Sequence, residues 1–369
     1  MRKICLCVLL LAAFRTGHSQ DSIWLARTTG QLPFMEYGIG DDRLGGAKMG
    51  FLDSNVLVRV VDSNGTDYKI RLSSQHYAYI AKSSVVRQAK ISGRLPAHNP
   101  HLSGSIRVFG DTASDYVLVS LDDRLPYRGT QLLDPSRVAV DIFGVTSNTN
   151  WITQLRSAKE IKNTWYEQVE DDVLRVYIQL KHTQHWGYAL SYDSSGRRLV
   201  IRIRRQPAVL DIRKLRIAVD AGHGGDNSGA SGVTSKILEK NYTLLIAEQL
   251  RRTLKLAGVT NLFMTRTKDT SLSMPERIEM LKQYDPHLLV SIHLNSAGQD
   301  TVRGTSTYYR YIGFRPLSEA VMTRMLSLGL KEFGNVGNFN FSLSGPTDYP
   351  NVLVEVAFLS NPEDEKKNT

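Results

Sequence analysis

Apolar and polar positions change their rhythm twice along the chain. Between about residues 40 and 90 they form short alternating runs. Asn55-Val56-Leu57-Val58-Arg59-Val60-Val61 leads into Asp62-Ser63-Asn64-Gly65, which favours a tight turn, and Tyr68-Lys69-Ile70-Arg71-Leu72 alternates after it. The spacing predicts a small β-rich domain over 40–90. His98-Asn99-Pro100-His101 reads as a linker. A second β-rich domain is predicted over 104–206, from runs such as Tyr116–Leu121, Val138–Ile142, Leu174–Ile178 and Leu199–Ile203.

After Pro207 strands alternate with helices. Leu215–Val219, Leu262–Met264, Leu288–Ile292 and Val352–Val356 read as strands. The run Glu239–Ala257 places Tyr242, Ile246, Leu250, Leu254 and Ala257 at helical spacing, with Gly258 as a stop. Ser273-Met274-Pro275-Glu276 is a capping box opening a second helix, and Pro316–Phe333 reads as a third. This alternation predicts an α/β domain over 213–369, a mostly parallel sheet with helices on both faces, preceded by the two small β-rich domains. Asn361-Pro362-Glu363-Asp364-Glu365 has the form of one more capped helix start.

The first residues read differently. Met1-Arg2-Lys3 is positive, Ile4 to Phe14 is an apolar run of eleven, and Gly17-His18-Ser19 is small and polar. That is the layout of a signal peptide over 1–19, with cleavage expected after Ser19 and export to the periplasm or cell wall. Eleven residues fall short of the roughly twenty that span a bilayer, and no transmembrane segment is expected later. A lipidated Cys7 is the rival reading, weakened because Cys5-Leu6 lacks the usual small residue before it. Both cysteines, Cys5 and Cys7, lie inside this segment. Its removal would leave no thiolate for catalysis or metal binding, so a metal site would rest on His and carboxylates.

Composition narrows the classes further. The 369 residues are 41% hydrophobic and 22% charged, ordinary globular usage that excludes a disordered or fibrous chain. The formal net charge of +10 points to an anionic partner. Nucleic acid is disfavoured by export. Arg202 and Arg204 alternate with Ile201 and Ile203 and put a positive strip on one strand face, either solvated or in contact with anionic wall polymer.

Candidate chemistry gathers where the strands of the third region end. His223 follows the first strand in Asp220-Ala221-Gly222-His223-Gly224-Gly225, and His293 ends another in Ser291-Ile292-His293-Leu294-Asn295. Glu239 opens the long helix, and Glu355 sits in Val354-Glu355-Val356. In open α/β sheets ligands bind beyond the carboxyl ends of the strands. Two imidazoles and a carboxylate can hold Zn2+ with one position open, and a further carboxylate can act as base. His223, Glu239 and His293 are the candidate ligands and Glu355 the candidate base. No H-E-x-x-H motif is present, and spacing alone leaves other readings open: a turn residue for His223, a core histidine for His293, a dipole-stabilised first-turn carboxylate for Glu239. His287 falls at the opposite strand end and reads as structural. His182 and His185 read as surface residues. The glycines from Gly222 to Gly232 do not make a dinucleotide motif, since Asn227 stands where the last glycine would fall.

Taken in order, Asp220–Gly225, Glu239-Lys240-Asn241, Thr265-Arg266, Ser291–Asn295 and Val354–Pro362 resemble the zinc-dependent N-acetylmuramoyl-L-alanine amidases of the Amidase_3 type, over about residues 213–369. The resemblance implies one zinc ion on His223, Glu239 and His293, a catalytic Glu355, and hydrolysis of the amide joining N-acetylmuramic acid to L-alanine in peptidoglycan. It also implies a role in wall remodelling and daughter-cell separation. The first β-rich region resembles bacterial SH3-like domains, and the second resembles AMIN-type domains through Trp186-Gly187-Tyr188 and its closing strand. Three departures stand out. Ala221 replaces a common proline, Gly334–Phe339 is less basic than usual, and the interval from His293 to Phe314 has no room for a self-inhibiting helix. The alternatives are a non-catalytic wall-binding or regulatory protein that keeps the fold, and a zinc peptidase cutting within the stem peptide.

Overall fold

The computed structural model describes residues 23–40, 45–88 and 101–368. The expected signal peptide, both cysteines and most of the expected linker at 98–101 lie outside the described residues.

The first unit is a seven-stranded antiparallel sheet. Strand Leu57–Asn64 folds back on Asp67–Arg71 with Asn64 opposite Asp67, and Gly65 occupies the left-handed region at φ +52° that this turn requires. The sheet begins earlier than residue 40. Trp24–Thr28 pairs with both Leu57–Asn64 and Val85–Arg87, so it lies inside the sheet. Its Trp24 ring meets Tyr68 edge-on at 5.2 Å, and Ala26 is wholly buried. A five-residue strand with one arginine carries too little alternation to stand out.

The second unit stacks a four-stranded sheet on a larger one. Period-two burial supplies both inner faces: Val117, Val119 and Leu121 point inward from one sheet, Leu174, Val176 and Ile178 from the other. The same apolar core takes in Met35, Val58 and Ile70 of the first unit. The two β-rich units are thus fused by packing, and Arg27 clamps Asp123 across the join with bonds of 2.7 and 2.8 Å.

The third unit holds a six-stranded sheet. In chain order its elements are β1 (Ile217–Ala221), α1 (Glu239–Leu256), β2 (Leu262–Met264), α2 (Met274–Tyr284), β3 (Leu288–Asn295), β4 (Thr305–Tyr308), α3 (Arg315–Leu326), β5 (Glu332–Val336), β6 (Asn351–Phe358) and α4 (Pro362–Asn368). Across the sheet the order is β2-β1-β3-β6-β4-β5. The first four of these run parallel, and β4 is antiparallel to β6. Alternate residues of β1 face opposite layers. Ala218 joins Ile278 and Leu281 of α2, whereas Val219 and Ala221 join Ala247 of α1. Helices therefore cover both faces.

The third helix is shorter than the expected 316–333. It ends at Leu326, Gly329 turns at φ +76°, and residues 332–336 form β5 beside β4. The capping box at Ser273 is present, and Asn361 Oδ1 accepts from the amides of Glu363 and Asp364 at 3.0 Å to start α4.

The arginine strip meets the third unit. Arg202, Arg204 and Arg216 all reach Asp285, which ends α2, and Arg202 also reaches Asp348. Arg204 is only 6% exposed, so this strand face is an interface and not a solvated surface or a wall contact.

Candidate metal and catalytic site

The chain leaves β1 through Gly222 and His223, and His223 holds φ +60°. A non-glycine residue in that region costs on the order of 1 kcal/mol or more and needs support. Two arginines provide it. Arg277 Nη1 donates to the Ala221 carbonyl at 2.8 Å and its Nη2 to the His223 carbonyl, while Arg266 donates to the carbonyls of Ala221 and Gly222, both at 2.9 Å. Arg277 is itself neutralised by Asp220 at 2.6 Å, both side chains being 1% exposed. Thr265 and Ser291 donate to the same carboxylate at 2.6 and 2.7 Å. Burial opposes the charge on Asp220, yet Arg277 and these hydroxyls hold its carboxyl below the usual range.

The imidazole of His223 is oriented from behind. Asn227 Oδ1 lies 2.9 Å from its Nδ1, leaving Nε2 to face Glu239 Oε1 at 3.0 Å. His293 Nδ1 approaches the same oxygen at 3.0 Å. Glu239 begins α1 and is 3% exposed. Its Oε1 accepts from the Leu294 amide at 3.0 Å and its Oε2 from the Ala230 amide at 2.7 Å. Burial works against the ionised form, but the two imidazoles outweigh it and keep this carboxyl well below its ordinary value. For His293 burial likewise opposes the charge, and Glu239 and Glu355 raise its pKa in net.

One donor atom each from His223, Glu239 and His293 lies within 4.8 Å of the others, the arrangement that a single cation can bridge. Glycines make room for it. A Cβ at Gly222 would stand 2.4 Å from the His293 ring, and one at Gly229 would stand 2.4 Å from Glu239 Oε2. Glu355 lies on β6 directly beside His293 in the parallel ladder, 6% exposed. All four candidate residues line one cleft of about 550 Å³. Tyr308, Phe339 and Phe341 form an aromatic wall of that cleft, with ring centroids 4.6 to 5.2 Å apart.

Local sequence pattern assigns no role in the site to Arg277, Asn227 or this wall. Arg277 had a signal: it sits four residues before buried Leu281 and beside Ile278, a charge on the apolar face of α2. The other histidines separate. His287 Nδ1 accepts from the Arg216 amide at 2.8 Å, away from the cleft. His182 contacts Glu160 at 2.7 Å near the surface. His185 is not a surface residue: it is 1% exposed, with Nε2 3.1 Å from the Leu132 carbonyl.

Residues 217–369 match the family model Amidase_3, described as N-acetylmuramoyl-L-alanine amidase. The probable cell wall amidase LytH of Staphylococcus aureus is 35% identical over 150 residues, 40% of this chain and 50% of the relative. The chain thus spans about half the length of the curated relatives it matches. Among solved structures, the catalytic domain of CwlV, an N-acetylmuramoyl-L-alanine amidase from Bacillus (Paenibacillus) polymyxa var. colistinus, is 33% identical, with a TM-score of 0.39. That match covers 41% of this chain and 85% of the other. An N-acetylmuramoyl-L-alanine amidase from Clostridium difficile 630 is 31% identical over 42% of this chain and 86% of its own, with a TM-score of 0.39.

Proposed function

We propose that the protein is a zinc-dependent N-acetylmuramoyl-L-alanine amidase, which hydrolyses the amide between the lactyl group of N-acetylmuramic acid and L-alanine in peptidoglycan. The observation that carries this reading is the convergence of two imidazoles and Glu239 in a cleft that also holds Glu355. The donor set of two nitrogens and one oxygen fits zinc, with His223, Glu239 and His293 as the holders. A zinc ion bound there supplies Lewis-acid chemistry, polarising the scissile carbonyl and making water more acidic.

The residues of the chain do the rest. Glu239 remains ionised under the pull of the imidazoles, and the Ala230 and Leu294 amides hold it against rotation. Asn227 fixes which nitrogen His223 presents. Glu355 takes the proton of the attacking water and passes it to the departing alanine amine. Tyr308, Phe339 and Phe341 shield one side of the cleft from solvent.

The amino-terminal units belong to the same proposal as SH3-like and AMIN-like modules that set the catalytic unit on the wall, in an exported protein acting in wall remodelling and daughter-cell separation. The test is to digest purified sacculi with the zinc-loaded protein and sequence the new amino termini. Alanine termini together with free lactyl carboxylates support the amidase. An interior stem residue would make it a peptidase, and intact sacculi would make it a binding protein.

A further inference from the structure

A second cavity, of about 340 Å³, opens where the three units meet. Lys48 from the first unit, Arg128 from the second and Arg310 from the third line it, with Tyr37, Tyr309 and Gln131. No carboxylate stands among the described residues that line it. Arg128 is committed to Asp141 at 2.6 Å. Arg310 donates to the Lys48 carbonyl and lies over the Tyr311 ring, and among the described residues neither Arg310 nor Lys48 makes an ion pair. Burial, above all, lowers the pKa of Lys48, with Arg310 adding to the effect and Glu36 opposing it.

A second observation points to a ligand. Gln131 is 4% exposed, and its carbonyl oxygen accepts from the Gly313 amide at 2.7 Å. Among the described residues its Nε2 has no partner, and neither has the buried Nε of Arg128. Burying a donor without an acceptor is costly, so a ligand that accepts from these groups is favoured.

We propose that this cavity binds an acidic saccharide, a pyranose bearing a carboxylate, with Arg310 and Lys48 holding the carboxylate, Gln131 donating to a ring substituent and the tyrosines covering the sugar. Charge-assisted bonds from a guanidinium suit a carboxylate, and tyrosine rings present flat apolar faces with polar rims. The source of such a sugar rests on the amidase reading. Water splits the C–N bond, the hydroxyl joins the lactyl carbon and the proton joins the alanine amine, leaving a glycan strand with a free lactyl carboxylate. The cavity is placed to meet it: Tyr308 and Phe339 line the catalytic cleft, while their chain neighbours Tyr309 and Asn338 line this one. The first unit also secures the shared wall, Lys48 donating its amide to Asn340 Oδ1 at 3.0 Å.

The test is isothermal titration of the full chain, with and without zinc, using a peptide-free N-acetylmuramic acid/N-acetylglucosamine tetrasaccharide. The neutral N-acetylglucosamine tetramer and inorganic phosphate are the comparison probes. The acidic tetrasaccharide should bind in both metal states, and Arg310→Gln should weaken it about ten-fold. Tyr37→Ala, at a residue 53% exposed, should weaken it about three-fold while leaving the urea midpoint near that of the parent. The proposal is overturned if the neutral tetramer binds as tightly, if phosphate displaces the sugar, if binding requires zinc, or if Tyr37→Ala binds unchanged. Binding without turnover would sink the amidase reading alone, and turnover without binding would sink this proposal alone.

Discussion

Asp220 and Arg277 form a fully buried ion pair directly beneath the candidate metal site, 2.6 Å apart. Arg277 also donates to the carbonyls of Ala221 and His223, so the pair fixes the path of the loop that presents His223. Replacing Arg277 by Leu strands Asp220 without its cation. Stability should fall by about 3–5 kcal/mol, read from urea midpoints. The double variant Asp220→Asn/Arg277→Leu should recover part of that loss, because no buried charge remains.

Gly229 tests the crowding around Glu239. It holds φ +68°, and an added Cβ would stand 2.4 Å from Glu239 Oε2 and 2.8 Å from His223 Cδ2. Gly229→Ala should weaken zinc binding about ten-fold or more, measured by competition with a chelator. Gly38→Ala, where an added Cβ would meet none of the described residues within 4 Å, is the control and should bind zinc as the parent does.

How much of this could be read beforehand depended on how local each signal was. The strands around Ala218, Leu289 and Val352 and the capping box at Ser273 follow from short-range pattern, and all are present. The span past Gly329 departs from the expected helix because Lys331-Glu332-Phe333 suits a helix equally well, and only pairing with β4 makes it a strand. Helix α1 follows the expected span, yet its innermost line is Glu239, Thr243 and Ala247, one position off the large apolar residues. His223, Glu239, His293 and Glu355 were legible as types of chemistry, while their convergence is a property of the parallel sheet. The pairing of the arginine strip is not legible locally, because its partners, Asp285 and Asp348, lie more than eighty residues further on.

That interface gives a third expectation. Asp285 pairs with Arg202, Arg204 and Arg216, and it occupies the left-handed region at φ 52°. Asp285→Asn keeps a residue tolerant of that conformation while removing the charge. The stretch 205–214 between the units should then be cut faster by trypsin, and stability should fall by about 1–3 kcal/mol. High salt should reduce the difference between the two proteins.

His287 sets a pH response. Burial first, then the nearby charges of Arg216 and Arg204, lower its pKa from 6.5 to about 4. Between those values the unfolded chain takes up a proton that the folded chain refuses. The contribution is therefore fully present above pH 6.5 and is lost as the pH falls towards 4. It amounts to on the order of 2 kcal/mol once solvent screening of a half-buried ring is allowed for. Urea midpoints taken from pH 7 to 4.5 should fall less steeply in His287→Asn than in the parent.

The central claim is that zinc on His223, Glu239 and His293, with Glu355 as base, cuts the lactyl–alanine amide. Mass analysis of purified sacculi digested by the parent protein and by Glu355→Gln tests it most directly. The parent should release stem peptides with free alanine amines, and the variant should retain its zinc while releasing them about 10²–10⁴-fold more slowly. Equal release by the two proteins, or peptides that begin at an interior residue, would contradict it.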